Sequence, residues 1–396
     1  MNNVESWRGM HKIIAKESLI DVLRLIRSEN VGPVTFFSLI RQFGMAKKAL
    51  EVIPSLAAKG GKRTPILCYT TRDAEREIEL TEKFGAKMVR YGEEEYPELL
   101  MSIYDPPPII SVLGFPHIWK SKPNLAIVGS RNASANGYQF AKKLAADAGE
   151  RGLNIISGLA RGIDTAAHTG SLASGTVAVM ASGIDNIYPP ENRMLYDSIA
   201  KQGAIITEQP FGSLPHARSF PGRNRIISGI SLGTVVVEAS LKSGSLITAR
   251  FALDQDREVF AVPGSPLDPR CKGTNSLIKQ GATVCENMED VMAVLGRQAQ
   301  IGLIREHAIG MRDRESPIFT TAEPKPANEN ELAEARKIIT AKLGYSPILV
   351  DELLIQCETT PNLFSLVLLE LELAGKLQRY SGHKVSLRAD AESMVS

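Results

Sequence analysis

Short apolar runs alternate with helical patterns between residues 125 and 284. The runs are rich in Val and Ile and contain few polar residues, which is typical of parallel strands buried on both faces. The predicted strands are Leu125–Val128, Asn154–Ser157, Thr176–Met180, Ala204–Thr207, Thr234–Glu238 and Glu258–Val262. The predicted helices between them are Gly137–Arg151, Ile163–Ala173, Glu191–Lys201, Asn224–Ser231 and Ser245–Gln255. The pattern predicts an α/β domain with a mostly parallel sheet over residues 115–296.

Residues 18–56 follow a helical period instead. Two apolar stripes flank the sequence Asn30-Val31-Gly32-Pro33, which is typical of a turn that ends one helix and begins the next. The stripes are Leu19, Val22, Leu23 and Ile26, then Phe36, Leu39, Ile40 and Phe43. Residues 1–60 are therefore predicted to form a helix-hairpin-helix or a small helical bundle. Hairpin amides of this kind can contact DNA phosphate, but the turn has few basic neighbours, which favours a packing role.

Residues 61–114 are predicted to form a small α/β extension that leads into the main domain. Short strands are expected at Ile66–Tyr69 and Met88–Val89, on either side of a charged helix over Arg72–Phe84. The prolines between Tyr96 and Pro108 are expected to exclude a helix there.

The C-terminal part begins after a non-periodic linker over residues 297–328. Residues 329–396 are predicted to contain helices at Glu331–Leu343, Leu349–Cys357 and Pro361–Ala374, followed by a hairpin over Lys376–Leu387. Three helices and a hairpin make a winged-helix arrangement. The third helix is apolar and acidic, so we expect it to pack or to dock protein rather than to read a duplex. The hairpin is basic, so weak contact between the hairpin and a DNA backbone remains an open alternative.

Composition narrows the class of protein. A length of 396 residues predicts more than one domain, and a net charge of +2 requires any nucleic-acid surface to come from clustered basic residues. The four cysteines form no C-x-x-C pair, which argues against a zinc site or disulfides and fits a reducing cytosol. No apolar run approaches the roughly 18 residues of a membrane span. We predict a cytoplasmic protein without metal, cofactor or membrane partner.

Gly129-Ser130-Arg131 offers the first candidate chemistry. A turn between a strand and a helix exposes backbone amides to an anion, and it carries a hydroxyl and a guanidinium here. The stretch matches neither G-x-G-x-x-G nor G-x-x-x-x-G-K-[ST], which disfavours a dinucleotide or a Walker-type ATP site.

Further turns with similar chemistry follow the other strands. Because the carboxyl ends of parallel strands meet at one sheet edge, these turns are expected to line one edge together. The predicted binding residues are Gly129, Ser130, Arg131, Arg161, Arg223, Asn224, Arg225, Ser243, Ser245 and Lys272. No arrangement of nucleophile, base and orienting group accompanies them, and His168 fits close helix packing better than a general base. This favours binding of a polyanion over catalysis.

Several stretches together resemble the DNA-processing protein A (DprA/Smf) family. They are Tyr96-Pro97, Asp105-Pro106-Pro107, Ile127-Val128-Gly129-Ser130-Arg131, Ser157–Asp164 with Ala167-His168, Gly183-Ile184-Asp185 with Tyr188-Pro189, Phe220–Ile227, Val237-Glu238-Ala239 with Ser243–Leu246, Ala261–Gly264 and Gly273–Ile278. The similarity is close from Tyr96 to Val284. Gln209-Pro210-Phe211 departs from the family's more usual Tyr-Pro-Pro-like run.

The resemblance implies a sterile-alpha-motif-like N-terminal domain, an extended Rossmann-like domain and a winged-helix domain. It also implies sequence-independent binding of single-stranded DNA, homodimerisation, and loading of the recombinase RecA onto incoming DNA in natural transformation and homologous recombination. The family is not known as an enzyme, so the resemblance implies that this protein is not one either. By position, the resemblance assigns the pocket to Gly129, Ser130, Arg131, Arg161, Arg223, Asn224 and Arg225.

Two alternatives remain open at this point. Gly233-Thr234 and Glu238 are faintly similar to a motif of Rossmann-like nucleotide phosphoribohydrolases, in which Glu238 and Arg131 would act on a nucleoside monophosphate. The paired glycines of that motif are missing, because Ile230-Ser231-Leu232 stands there. The other alternative is a structural adaptor that uses the winged-helix domain alone.

Overall fold

A computed structural model describes residues 10–296, 329–380 and 382–388, and these fall into two compact units. The larger unit contains residues 10–11 and 75–296, and the smaller contains residues 12–74 together with the described residues from 329 onward. The predicted linker over 297–328 lies outside the described residues. The predicted fold class is confirmed, because a mostly parallel sheet with covering helices is accompanied by a helical N-terminal module and a winged-helix module.

The strands are short and mostly buried. They are β1 Lys87–Arg90, β2 Ile109–Gly114, β3 Asn124–Val128, β4 Asn154–Ser157, β5 Thr176–Val179, β6 Ala204–Thr207, β7 Gly233–Val236, β8 Glu258–Ala261, β9 Thr283–Val284, β10 Ile348–Leu349, β11 Leu377–Tyr380 and β12 Lys384–Leu387. Five of the six strands predicted in the main domain are buried throughout and the sixth is buried over three of its four residues, as their continuous apolar sequences require.

The helices alternate with these strands in the larger unit and dominate the smaller one. They are α1 Met10–Ile14, α2 Leu19–Arg27, α3 Pro33–Phe43, α4 Ala46–Lys59, α5 Thr71–Lys83, α6 Glu98–Met101, α7 Ile118–Ser121, α8 Ala135–Glu150, α9 Ile163–Ser171, α10 Arg193–Gln202, α11 Ser219–Ile230, α12 Gly244–Asp254, α13 Lys272–Lys279, α14 Glu329–Lys342, α15 Val350–Cys357 and α16 Pro361–Leu373. A further helix begins at residue 288. No helix among the described residues is long and apolar enough to cross a bilayer.

The larger unit is built on one sheet with the order β1-β2-β6-β5-β4-β3-β7-β8-β9. All neighbours from β6 to β9 pair in parallel, whereas β1 and β2 extend one edge in antiparallel fashion. The core on one face includes Leu125 and Ile127 of β3, packed against Leu144 of α8 and Ile163 of α9. The six strands predicted from the apolar runs are present within two residues at each end.

Two predictions in the region before β3 are wrong. Residues 66–69 form no strand, because their backbone groups bond to the end of α2: the Leu67 amide donates to Glu29 Oε2 at 3.1 Å, and the Tyr69 amide donates to Ser28 Oγ at 3.1 Å. A short helix, α6, lies where prolines were expected to exclude one. Pro97 occupies its N-cap position, where the missing N–H has no consequence.

A third correction concerns α11, which begins at Ser219 and not at Asn224. Pro221 lies in the first turn of the helix, where proline is tolerated because amides there have no intrahelical acceptor. Arg223, Asn224 and Arg225 therefore project from the helix itself, and the direction of each is fixed by helical geometry rather than by a loop.

The smaller unit combines the two ends of the chain. Helices α2, α3 and α4 form the N-terminal module, with the predicted turn at Asn30–Pro33 between α2 and α3. Helices α14, α15 and α16 pack around a sheet of order β10-β12-β11, which is the predicted winged-helix arrangement.

Candidate nucleic-acid interface

The candidate interface lies where the strand order reverses. From β3 the chain passes through α8 to β4 on one side, whereas β7, the neighbour of β3 on the other side, leads through α12 to β8. The connections leave β3 and β7 in opposite directions, so a crevice opens beyond their carboxyl ends. Gly129-Ser130-Arg131 follows β3 directly at this position.

The turn after β3 depends on close packing with α9. A Cβ on Gly129 would lie 2.7 Å from the side chain of Ile163, so a larger residue there would displace the helix. The Ile163 amide donates to the carbonyl of Ser130 at 3.2 Å, and Ser130 Oγ accepts a hydrogen bond from the Asn132 amide at 3.1 Å. The turn is thus held in place while the Arg131 side chain remains exposed.

The turn after β4 is organised by a buried carboxylate. Asp164 Oδ2 accepts hydrogen bonds from the amides of Gly158 at 3.2 Å and Ala160 at 3.4 Å. Gly162 has a φ of +75°, in the region that favours glycine, and a Cβ there would overlap the carbonyl of Ser130. The turns after β3 and β4 are therefore locked against each other, and Arg161 extends outward to pair with Glu191.

Arg223 on α11 reaches the same place from the other wall. Its side chain is only 5% exposed, and Nη1 lies 3.8 Å from Asp164 Oδ2. A Cβ on Gly158 would occupy the position of this guanidinium. Burial lowers the pKa of Arg223 to about 10, with Asp164 opposing the shift, so the side chain is still protonated at neutral pH. Burial also raises the pKa of Asp164.

Both arginines lie close to one aromatic ring. The Arg131 guanidinium carbon lies 4.6 Å from the centroid of the Phe220 ring, and that of Arg223 lies 5.9 Å away. The ring of Tyr188 meets Phe220 edge-on with centroids 6.1 Å apart. Cations at these distances are attracted to the ring face. The arrangement places charge and an aromatic surface side by side.

Two adjoining cavities share this centre. One, of about 600 Å³, is lined by seven of the ten predicted residues: Gly129, Ser130, Arg131, Arg223, Asn224, Ser243 and Ser245. The other, of about 370 Å³, is lined by Arg131, Arg161, Tyr188, Phe220 and Arg223 among others. We call the two together the cleft. Ser243 caps α12 by accepting a hydrogen bond from the Ser245 amide at 3.4 Å.

Two predicted residues lie outside the cleft. Arg225 is buried on the opposite side of α11, where Nη2 pairs with Glu208, Nε lies 3.2 Å from Asp105 Oδ2, and Nη1 donates to the Asp105 carbonyl at 2.6 Å. Lys272 is exposed at the start of α13 and lines neither cavity. Arg225 and Lys272 are close in sequence to glycines or arginines, but the sequence does not indicate which way each side chain points.

Asp164 and Tyr188 line the cleft but were not among the residues predicted from the sequence. Both lie within stretches that carry the family resemblance, but neither a single carboxylate nor a single tyrosine indicates an anion site. The usable signal was spacing: Asp164 lies close enough to Gly158 in the chain to bond the amides of that turn.

Glu238 of the phosphoribohydrolase alternative and His168 make their contacts outside the cleft. Glu238 accepts hydrogen bonds from the Ser134 hydroxyl and, at 2.9 Å, from the Ser134 amide, and it lines neither cavity. His168 is fully buried, Nδ1 lies 2.7 Å from Thr176 Oγ1, and burial lowers its pKa to about 3. The preference for His168 as a packing residue is confirmed. Over the described ranges no cluster of three His, Cys, Asp or Glu residues could hold a metal.

Comparison with protein families gives three matches in chain order. The DNA recombination-mediator protein A model matches residues 87–296, a DprA-like N-terminal HHH domain matches residues 16–79, and a DprA winged helix domain matches residues 323–383. The chain belongs to the DNA recombination-mediator protein A (DprA) family. The predicted resemblance is thereby confirmed.

Individual relatives agree with this membership. Protein Smf of Synechocystis sp. is 35% identical over 383 residues, covering 91% of this chain and 96% of the relative. The DNA processing protein DprA of Bacillus subtilis is 44% identical over 213 residues, covering 53% of this chain and 72% of the relative. The crystal structure of DprA from Streptococcus pneumoniae superposes with a TM-score of 0.59 at 32% identity, covering 70% of this chain and 98% of that one.

A second solved structure, DNA processing protein A from Helicobacter pylori, superposes with a TM-score of 0.50 at 28% identity. It covers 54% of this chain and 96% of that one. That structure concerns the mode in which the Helicobacter pylori protein binds single-stranded DNA.

Proposed function

We propose that the cleft binds single-stranded DNA with little sequence preference. The observation that carries this proposal is the contact of the Phe220 ring with the guanidinium groups of both Arg131 and Arg223. Arginines fix phosphates, and aromatic rings stack on bases of any identity, so the combination suits a strand whose bases are unpaired. The single-stranded DNA binding of the Helicobacter pylori relative supports the same conclusion.

The charges in the cleft favour a polyanion. Arg131 is exposed, and Arg223 stays protonated because its lowered pKa of about 10 is still well above neutrality. The distance of 3.8 Å between Arg223 and Asp164 is longer than a hydrogen bond, so the guanidinium keeps donor capacity for a ligand. Backbone amides and hydroxyls of the turns at Gly129 and Ser243 add neutral donors.

The form of the cleft favours a single strand over a duplex. Phe220 is partly buried and lines both cavities. A base held in a stacked pair cannot insert there without leaving the helix, whereas an unpaired base is free to do so.

The family membership extends this proposal to recombination. We infer that the protein loads RecA onto incoming single-stranded DNA in natural transformation and homologous recombination, and that it acts as a homodimer without being an enzyme. The name of the family as a recombination mediator supports this inference. The engagement of Glu238 by Ser134 argues against a role as phosphoribohydrolase, because both carboxylate oxygens already accept hydrogen bonds.

A salt titration tests the proposal most directly. Filter binding is measured with poly-dT and with a duplex of equal length, between low and physiological salt. We expect tighter binding of poly-dT and an affinity that falls steeply with salt, because phosphate contacts release counterions. Equal affinity for the duplex would overturn the assignment. Release of free base from a nucleoside monophosphate that is lost in Glu238→Ala would support the enzyme instead.

A further inference from the structure

The third helix of the winged-helix module, α16, has two buried faces. Phe364, Val367, Leu368 and Leu371 face the core of the module itself. Leu369 and Leu373 are equally buried but lie outside that core. They are four residues apart, so they share one face of the helix. A second surface must therefore cover this face.

The covering surface is the N-terminal module. Helix α16 packs against α3 and α4. The two backbones approach each other closely at Gly60, just after α4, where a Cβ would overlap the carbonyl oxygen of Glu370 and lie 2.9 Å from the Cβ of Ala374. Only glycine permits this separation of the two backbones. The Glu370 side chain is fixed by Arg336 of α14, with Nε to Oε2 at 2.6 Å and Nη2 to Oε1 at 2.9 Å.

The hairpin between α2 and α3 takes part in the same contact. Asn30 Nδ2 donates a hydrogen bond to the Leu373 carbonyl at 3.0 Å, across 343 positions of sequence. Leu373 is at the end of α16, where carbonyls have no intrahelical donor. The hairpin thus caps the helix that it packs against.

Both elements belong to motif types that elsewhere bind DNA. In winged-helix readers the third helix enters the major groove, and in helix-hairpin-helix modules the hairpin meets phosphates. In this chain α16 contains two glutamates and no Lys or Arg. Its C-terminal half is buried against residues 12–74, so it is inaccessible to a groove while that contact persists.

We propose that the N-terminal hairpin module and the third helix of the winged-helix module are docking partners of each other. Residues 12–74 and the C-terminal residues from 329 onward then behave as one cooperative body. The winged-helix module packs on the N-terminal helices and holds them in place. Helix α16 is therefore not used to read duplex DNA. This inference is independent of the function proposed for the cleft.

Hydrogen exchange on the whole chain of 396 residues tests the docking proposal directly. Gly60→Ala inserts a methyl group where Glu370 lies, while the φ of −70° at Gly60 suits alanine. We expect exchange in residues 369–375 and 56–62 to become on the order of tenfold faster, as expected for local opening. Residues 46–53 of α4 should keep their protection. Gly32→Ala is the matched control, because a Cβ there meets nothing within 4 Å.

Asn30→Ala provides an independent variant that leaves the helices intact, and it should accelerate exchange at the end of α16 in the same direction. Unchanged exchange over residues 369–375 in both variants would overturn the docking proposal. So would an equal acceleration in Gly32→Ala. Addition of a duplex to the wild-type chain should not slow exchange over residues 361–373, and protection there would show that α16 reads DNA after all.

Discussion

Arg223 and Arg225 lie two positions apart on α11 and point to opposite sides of it. Arg223 lies 3.8 Å from Asp164 at the centre of the cleft, whereas Arg225 is buried between Glu208 and Asp105 behind the helix. Residues two positions apart on an α-helix are rotated by about 200° from each other around the helix axis, so Arg223 and Arg225 cannot both face one ligand. One arginine therefore belongs to the proposed interface and the other to the framework that positions it.

Arg225→Ala should destabilise the fold without removing a DNA contact. The substitution removes the cation that pairs with the half-buried Glu208 carboxylate, which is expected to lower the free energy of unfolding by about 3 kcal/mol. Urea unfolding measures this loss. Poly-dT affinity, measured at a temperature where the variant is folded, should change little. A large loss of affinity in the folded variant would instead place Arg225 in the interface.

Arg131→Ala should weaken binding of single-stranded DNA to a similar extent for all sequences. The exposed guanidinium is proposed to contact a phosphate, so its removal should reduce the slope of log affinity against log salt by about 1. Filter binding with poly-dT and poly-dC measures both effects. Arg193→Ala is a suitable control, because Arg193 is an exposed arginine that pairs with Asp197 on α10. An unchanged slope in Arg131→Ala contradicts the phosphate contact.

Phe220→Ala should weaken binding by about 1–3 kcal/mol, the usual contribution of one stacked base. Because stacking is not screened by salt, the salt slope should stay the same. Phe220→Tyr keeps the ring and should retain most of the affinity. If Phe220→Leu binds as well as the wild-type chain, the ring acts only by filling space.

Gly158→Ala should disrupt the cleft through Arg223. The added methyl group would take the position of the Arg223 guanidinium, which must then move away from Asp164. We expect a loss of poly-dT affinity comparable to that of Arg223→Ala. The double variant should show little further loss, because both changes remove the same group. Additive losses would indicate that Gly158 acts on binding by another route.

The stability of the fold should fall in acid because of His168. Burial lowers its pKa from 6.5 to about 3, so between these pH values His168 is protonated in the unfolded chain but neutral in the folded chain. The contribution of neutral His168 to the free energy of unfolding is fully present above pH 6.5. It is lost at about 1.4 kcal/mol per pH unit as the pH falls from 6.5 toward 3. Urea unfolding of the wild-type chain and His168→Gln at pH 7, 6, 5 and 4 measures the difference. Parallel curves for the two proteins would contradict this assignment.

Much of the site could be predicted because of how parallel sheets are built. Apolar runs identified the strands, and the carboxyl ends of parallel strands necessarily meet at one edge, so the turns at Gly129, Gly158 and Ser243 converge on the two adjoining cavities. The partners of Asp164 and the aromatic contact between Tyr188 and Phe220 could not be predicted, since they depend on how separate turns pack. The start of α11 was misplaced because Pro221 can either precede a helix or lie in its first turn.

The sequence by itself determined the order of the strands from β3 to β8, the chemistry available at each turn and the family. These follow from local periodicity and from residue types at short spacing, which the chain carries wherever it folds. Only the tertiary structure decided that Arg223 faces the cleft while Arg225 supports it, and that Asn30 caps a helix ending at Leu373. Such relationships depend on the rotation of a helix against its neighbours and on contacts across hundreds of residues, and no local pattern encodes them.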